Sequence, residues 1–159
     1  MKNFLVTGAS GTVGKALIRF LIKTHPINHL YLAVRNPEKA NSAYKDLPKT
    51  TFRDFDFEND KSWNQAFEQI NTLFLLRPPH LSDVEKYFKP LLSCAKHAGI
   101  QEIMFLSVQG VEKSSVIPHY KIEKLIIQYG FDYVFLRPSY FMQNLTTTLL
   151  KDIETNRSV

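Results

Sequence analysis

The feature that most constrains this chain is a glycine-spaced turn near its start, Thr7-Gly8-Ala9-Ser10-Gly11-Thr12-Val13-Gly14, set between two different hydrophobic patterns. Before it, residues 3–7 form a short apolar run of the kind that makes a buried strand. After it, Val13, Ala16, Leu17, Phe20 and Leu21 recur at the spacing of one helix face over 12–23. Glycines in such a turn have distinct tasks: one permits the tight turn, one lets a ligand approach the backbone, and one lets helix and strand pack closely. The first turn of the helix then offers unpaired N–H groups and the positive end of its dipole, which suit a phosphate or pyrophosphate. The expected phosphate contacts are Gly8, Ser10, Gly11, Thr12, Val13 and Gly14. The strand–turn–helix setting makes this pattern far more specific than three glycines alone.

The alternation continues along the chain. Residues 30–34, 51–56, 71–76, 102–107 and 132–137 read as further strands, and 37–47, 62–69, 82–98, 118–129 and 140–153 as helices. Pro26 and Asn28 are expected to end the first helix. Asp60 or Ser62 is expected to cap the helix over 62–69, and Ser82 or Asp83 the one over 82–98. Pro118 suits a first helical turn, while Gly99 and Gly130 suit helix ends. The facing of Phe52 and Phe55 stays open. Six strand–helix units predict an α/β fold, a doubly wound parallel sheet of about six strands with helices on both faces. At 159 residues, a single domain over 1–159 is expected.

Composition removes several other classes. Hydrophobic residues at 44% and charged residues at 22% exclude a disordered chain. The lone Cys94 excludes a disulfide framework and reads as a small core residue inside a helix. His25, His29 and His97 lack metal-ligand spacing, so no metal site is expected. No apolar run is long enough for a membrane span, and the N-terminus reaches its glycines too early for a signal peptide, so a cytoplasmic protein without a membrane partner is expected. The net charge of +5 is spread over both halves with no basic stripe, which favours a small phosphorylated ligand over nucleic acid.

The second strand ends at Arg35, about 20 residues after the glycine turn. An acid there would accept hydrogen bonds from an adenosine ribose and repel a 2′-phosphate, whereas arginine offers a fork of donors and a permanent positive charge. NADP(H) is therefore expected in preference to NAD(H), which remains possible, with Asn36 as an assisting donor. The bland alternative is a surface arginine paired with Glu38. Asp56, Arg77 to Pro79, Ser107 and Pro138 all fall at the carboxyl ends of strands, the edge where open α/β sheets bind ligands. Tyr120 and Lys124 lie one helical turn apart, and a nearby ammonium stabilises a phenolate. The opposing reading is a solvated surface, because Ile122, Leu125, Ile126 and Tyr129 form the apolar face and only Ile127 lies beside the pair. His80 and His119 fall near the same edge, and Phe141, Met142 and Asn144 suit either a pocket floor or core.

The loop spacing resembles that of the short-chain dehydrogenase/reductase superfamily, which is built on a Rossmann sheet. Leu76-Arg77-Pro78-Pro79-His80, Leu106-Ser107-Val108-Gln109-Gly110, Pro118-His119-Tyr120-Lys121-Ile122-Glu123-Lys124 and 136–145 (LRPSYFMQNL) extend the resemblance to its atypical NmrA-like branch, in that family's order over nearly the whole chain. The resemblance implies that Asp56 and Phe57 flank the adenine and that Leu76 and Arg77 border its ribose. It also implies that Pro138 lies at the cofactor and that Lys124 contacts the nicotinamide ribose. Ser107, Tyr120 and Lys124 would then form the Ser–Tyr–Lys centre, with tyrosine exchanging a proton with the substrate. Two functions follow: an NADP(H)-dependent oxidoreductase acting on a carbonyl or quinone-like compound, or a non-catalytic NADP(H)-binding redox sensor of NmrA type with a protein partner. A nucleotide-sugar epimerase is a distant third. Family members continue past the sixth strand, so their C-terminal substrate-binding part is expected to be largely absent from this sequence, and an exposed edge or apolar patch would favour a homo-oligomer.

Overall fold

A computed structural model describes residues 2–24, 29–41, 50–146, 149–150 and 154–155. Six parallel strands form one sheet in the order β3-β2-β1-β4-β5-β6: β1 (Asn3–Val6), β2 (His29–Val34), β3 (Thr50–Asp54), β4 (Thr72–Leu75), β5 (Glu102–Leu106) and β6 (Asp132–Leu136). The helices are α1 (Thr12–Thr24), α2 (Pro37–Asn41), α3 (Trp63–Phe67), α4 (Val84–His97) and α5 (Pro118–Gln128). This is the doubly wound Rossmann arrangement. Its strand order reverses between β1 and β4, which opens a crevice at their carboxyl ends.

The central strands are near-continuous apolar runs because both faces of the sheet are covered. On one face, Leu5, Tyr31, Ala33, Leu73, Leu75, Ile103 and Phe105 pack with residues of α3, α4 and α5. On the other, Phe4, Val6, Leu30, Leu32, Val34 and Phe74 pack on Ile18 of α1, with Val13, Leu17, Leu21 and Ala40 around them. The third strand divides its phenylalanines in the same way, Phe55 joining the first cluster and Phe52 the second. The far edge is thinner. Tyr133, Val134 and Leu136 of β6 are exposed.

Several local expectations are corrected. α3 is a five-residue helix behind a 3-10 turn at Asp60–Ser62, shorter than the reading of 62–69. Glu68 leaves helical geometry and Gln69 takes a left-handed φ of 61°, so the chain turns away early. Neither Asp60 nor Ser62 caps it by side chain. The Ser62 hydroxyl instead donates to the Asn59 carbonyl (2.7 Å) and accepts from the Asp56 N–H (3.1 Å). Asp83 does cap α4, accepting from the Lys86 N–H at 3.0 Å. The last expected helix begins instead with a 3-10 turn at Met142–Thr146, and residues 147–148 and 151–153 lie outside the described residues. So do 42–47 of the second expected helix, and Pro26 and Asn28.

Thr7, fully buried, fixes the crevice. Its hydroxyl donates to the Phe74 carbonyl (3.0 Å) and accepts from the Leu76 N–H (2.8 Å), holding the end of β1 to the chain leaving β4. Thr7→Val keeps the shape and strands the Leu76 N–H. We expect a loss of about 1–3 kcal/mol in urea unfolding; an unchanged midpoint would contradict the staple.

Candidate functional site

The glycine turn rises from β1 into the crevice. Gly8 has φ +65°, and a Cβ there would lie 2.9 Å from Leu76 Cδ2. Gly14 is tighter still, since a Cβ would sit 2.2 Å from the Gly8 carbonyl oxygen and 2.9 Å from Ala9 Cα. The loop and the first turn of α1 therefore touch backbone to backbone. The Gly11 N–H donates to the Gly8 carbonyl (3.0 Å), and the Gly11 carbonyl accepts from the Lys15 N–H (3.0 Å). Thr12, Val13 and Gly14 thus occupy the first turn, where N–H groups have no intrahelical acceptor. Gly11 and Thr12 are exposed, Val13 is half-buried against the α1-side core, and Gly14 is buried.

Beside this turn lies a cleft of about 230 Å³. Gly8, Ser10, Gly11, Arg35, Asp56, Phe57 and Leu76, all anticipated, share its lining with His80 and Pro78. Ala33, Val34, Phe55, Glu58 and Leu81 also line it and were not anticipated. The apolar character of Ala33, Val34, Phe55 and Leu81 gave no signal separate from core, and Glu58 had the look of an exposed loop charge. Asp56 is held firmly: its carbonyl accepts from the Trp63 indole N–H (2.7 Å), and its Oδ1 accepts from the Glu58 N–H (3.0 Å). Arg35 is exposed at the rim and makes no ion pair with Glu38. The donor turn, the carboxylate and the rim guanidinium fit the adenosine diphosphate end of a dinucleotide.

Arg77 does not line the cleft. Its Nη1 donates to the carbonyls of Pro78 (3.0 Å), Pro79 (3.0 Å) and Leu81 (2.8 Å), so it shapes the loop after β4. Burial pushes its guanidinium below the usual range. A second group of residues gathers at the ends of β5, β6 and α5. Ser107 is buried, and its hydroxyl has no hydrogen-bond partner among the described residues. The Ser107 N–H donates to the Leu136 carbonyl (2.8 Å) and the Gln109 N–H to the Pro138 carbonyl (2.9 Å), zipping the two strand ends. On α5, His119 stacks against Phe105 with ring centroids 5.9 Å apart and planes at 29°. The next residue, half-buried Tyr120, has Lys124 Nζ 5.4 Å from its ring centroid. Lys124 itself is exposed.

The model of the NmrA-like family matches residues 1–158. The chain belongs to the NmrA-like family. It is 28% identical over 149 residues to prestalk A differentiation protein A of Dictyostelium discoideum, covering 94% of this chain and 48% of that protein. It is 26% identical over 142 residues to quinone oxidoreductase 2 of Escherichia coli (strain K12), covering 87% and 49%. The solved structure of Citrobacter sp. triphenylmethane reductase complexed with NADP(H) superposes with a TM-score of 0.81 at 25% identity, over 96% of this chain and 55% of that one. The chain spans about half the length of the curated relatives it matches.

Within this NmrA-like chain the apolar readings of α5 and α4 also resolve. Ile122, Leu125 and Ile126 are buried, Tyr129 is half-buried and Ile127 is exposed. Cys94 is half-buried, and its thiol donates to Asn64 Oδ1 at 3.2 Å. Tyr140, Phe141 and Met142 are exposed and Asn144 is half-buried. Among the described residues no group of His, Cys, Asp and Glu is arranged to hold a metal, and no helix is long and apolar enough to cross a membrane. One buried charge escaped the sequence reading altogether. Glu123 is 5% exposed and meets Arg137 through two bonds, Nε to Oε1 at 3.0 Å and Nη2 to Oε2 at 2.6 Å. The hydrogen bond to Glu123 raises the already high value of the Arg137 guanidinium.

His119 supplies a pH test. Burial first, and then the charge of Arg77, lower its pKa from the ordinary 6.5, with Glu123 opposing in part. The unfolded chain therefore takes up this proton before the folded one does. Stability present above about pH 6.5 is lost as pH falls toward the folded value. In melts between pH 7.5 and 5.5, His119→Gln should flatten the fall in Tm; an equal fall in both proteins would contradict this.

Proposed function

We propose that this chain binds NADP(H) along the carboxyl edge of its sheet and serves hydride transfer to a carbonyl or quinone-like compound. The observation that carries the reading is the first turn of α1, opening beside a cleft whose rim holds the exposed Arg35 guanidinium. In this reading the N–H groups of Thr12, Val13 and Gly14 hold the pyrophosphate at the positive end of the helix. Arg35 takes the 2′-phosphate, and Asp56 and Phe57 receive the adenine. Arg77 acts from behind, shaping the loop that carries Pro78 and His80. Support also comes from the family and from two named relatives: an E. coli quinone oxidoreductase and a reductase solved with NADP(H).

A bound reduced nicotinamide would supply the hydride. The chain's own residues manage the oxygen to which the proton goes. The Ser107 hydroxyl, buried and without a hydrogen-bond partner among the described residues, is the donor assigned here to a substrate carbonyl. Tyr120 then delivers a proton to the same oxygen as the carbonyl carbon gains the hydride, giving an alcohol. From a quinone the same addition gives a hydroxydienone, which becomes the hydroquinone when the ring carbon loses its added hydrogen as a proton and the second oxygen takes one up. Lys124, close above the Tyr120 ring, stabilises the phenolate left behind and contacts the nicotinamide ribose.

Arg35→Ala tests the cofactor assignment. Loss of a charge-assisted phosphate contact is worth about 1.5–3 kcal/mol, so NADPH affinity should fall by roughly ten- to a hundredfold while NADH affinity changes by less than about twofold. Nicotinamide fluorescence titrations measure both. Equal losses would assign Arg35 to the surface. Tyr120→Phe should abolish NADPH oxidation in a quinone and aldehyde panel while leaving binding intact. Tight binding without turnover by the unmodified chain would point instead to a redox sensor.

A further inference from the structure

The Glu123–Arg137 pair is unlike the other ion pairs of the described residues. In each of those the cationic partner meets a carboxylate at least 23% exposed, whereas the Glu123 side chain is 7% exposed. A carboxylate withdrawn from water costs stability unless it is paired and hydrogen-bonded, and here both oxygens are taken by one guanidinium fork. The pair is also placed where three chain segments meet. Arg137 follows β6 directly and precedes Pro138, whose carbonyl is bonded to Gln109 two residues beyond Ser107. Glu123 lies one turn after His119, which rests on Phe105 of β5, and it lies between Tyr120 and Lys124 in sequence. The fork therefore joins α5 to the corner formed by Ser107 and Pro138. None of these residues lines the cleft beside the glycine turn.

We propose that Glu123 is a positioning residue: by gripping Arg137 it locks the helix carrying Tyr120 and Lys124 to the Ser107–Pro138 corner, and so sets the nicotinamide end of the cofactor site while leaving the adenosine end independent. The inference rests on the dinucleotide reading above. Its physical basis is the rigidity of a bidentate pair, which fixes both the distance and the rotation of α5 against β6. A single hydrogen bond or a point charge fixes less.

The test uses the full chain and two probes, NADPH and 2′,5′-ADP, the second representing only the adenosine end. Glu123→Gln should weaken NADPH about tenfold and leave 2′,5′-ADP within about twofold. The enhancement of nicotinamide emission on binding should fall as well. Arg137→Lys, which keeps the charge but loses the fork, should have the same one-sided effect and guards against a Gln variant that does not fold. If the pair served folding alone, both probes would weaken together in proportion to the unfolded fraction measured by melting. Parallel losses, or no loss for NADPH, in folded variants would overturn the inference while the parent chain still binds both probes. A parent chain that is folded and binds neither probe would overturn the dinucleotide reading and this inference with it.

Discussion

The arrangement depends on one backbone contact. At Gly14 the first turn of α1 lies so close to the Gly8 carbonyl that no side chain fits between them. That contact fixes where the helix begins and therefore where its free N–H groups are presented. Thr7, one residue before Gly8, ties the same point to β4 through a hydroxyl that both donates and accepts. The crevice at the reversal of strand order is thus built by packing at its base, and the ligand-facing surface follows from that packing. Removing either constraint would alter the fold and the site together.

The two ends of the site differ physically. The proposed adenosine end is a cleft: Arg35 is at the rim, Asp56 is held by bonds through its own backbone and one carboxylate oxygen, and apolar Phe57 and Leu81 lie in its lining. The proposed nicotinamide end is built differently. It consists of three element ends held in relation by an aromatic stack, two backbone bonds and an ion pair whose carboxylate is buried. In the proposed reading, recognition of the cofactor is concentrated at the first end, whereas the chemistry depends on alignment at the second.

Much of this was legible in the sequence because the governing forces are local and periodic. The apolar runs gave all six strands to within a residue or two at their ends, and the glycine turn gave the crevice. Arg35 and Asp56 were legible because each follows a strand end, and the carboxyl edge of a parallel sheet is where such residues converge, whereas Phe57 was named only through the family resemblance. What escaped depended on distant partners. Arg77 has the look of a ligand residue but spends Nη1 on three carbonyls of its own loop. Glu123 sits at the margin of an amphipathic helix, where a charge ordinarily faces water. Only its pairing with Arg137, 14 residues away, explains its burial. α3 shortened because Glu68 and Gln69 leave helical geometry, while its expected cap residue Ser62 is engaged with Asn59 and Asp56.

The central claim is that the turn and cleft together form a dinucleotide site that favours a 2′-phosphate. The most direct measurement is a titration of the 159-residue chain with NADPH and NADH, followed by nicotinamide fluorescence, with folding checked by circular dichroism. The account predicts saturable binding of NADPH, at least about tenfold tighter than NADH. A folded chain that binds neither would mean that the glycine turn serves only the packing of α1 on the sheet, and the account would be wrong.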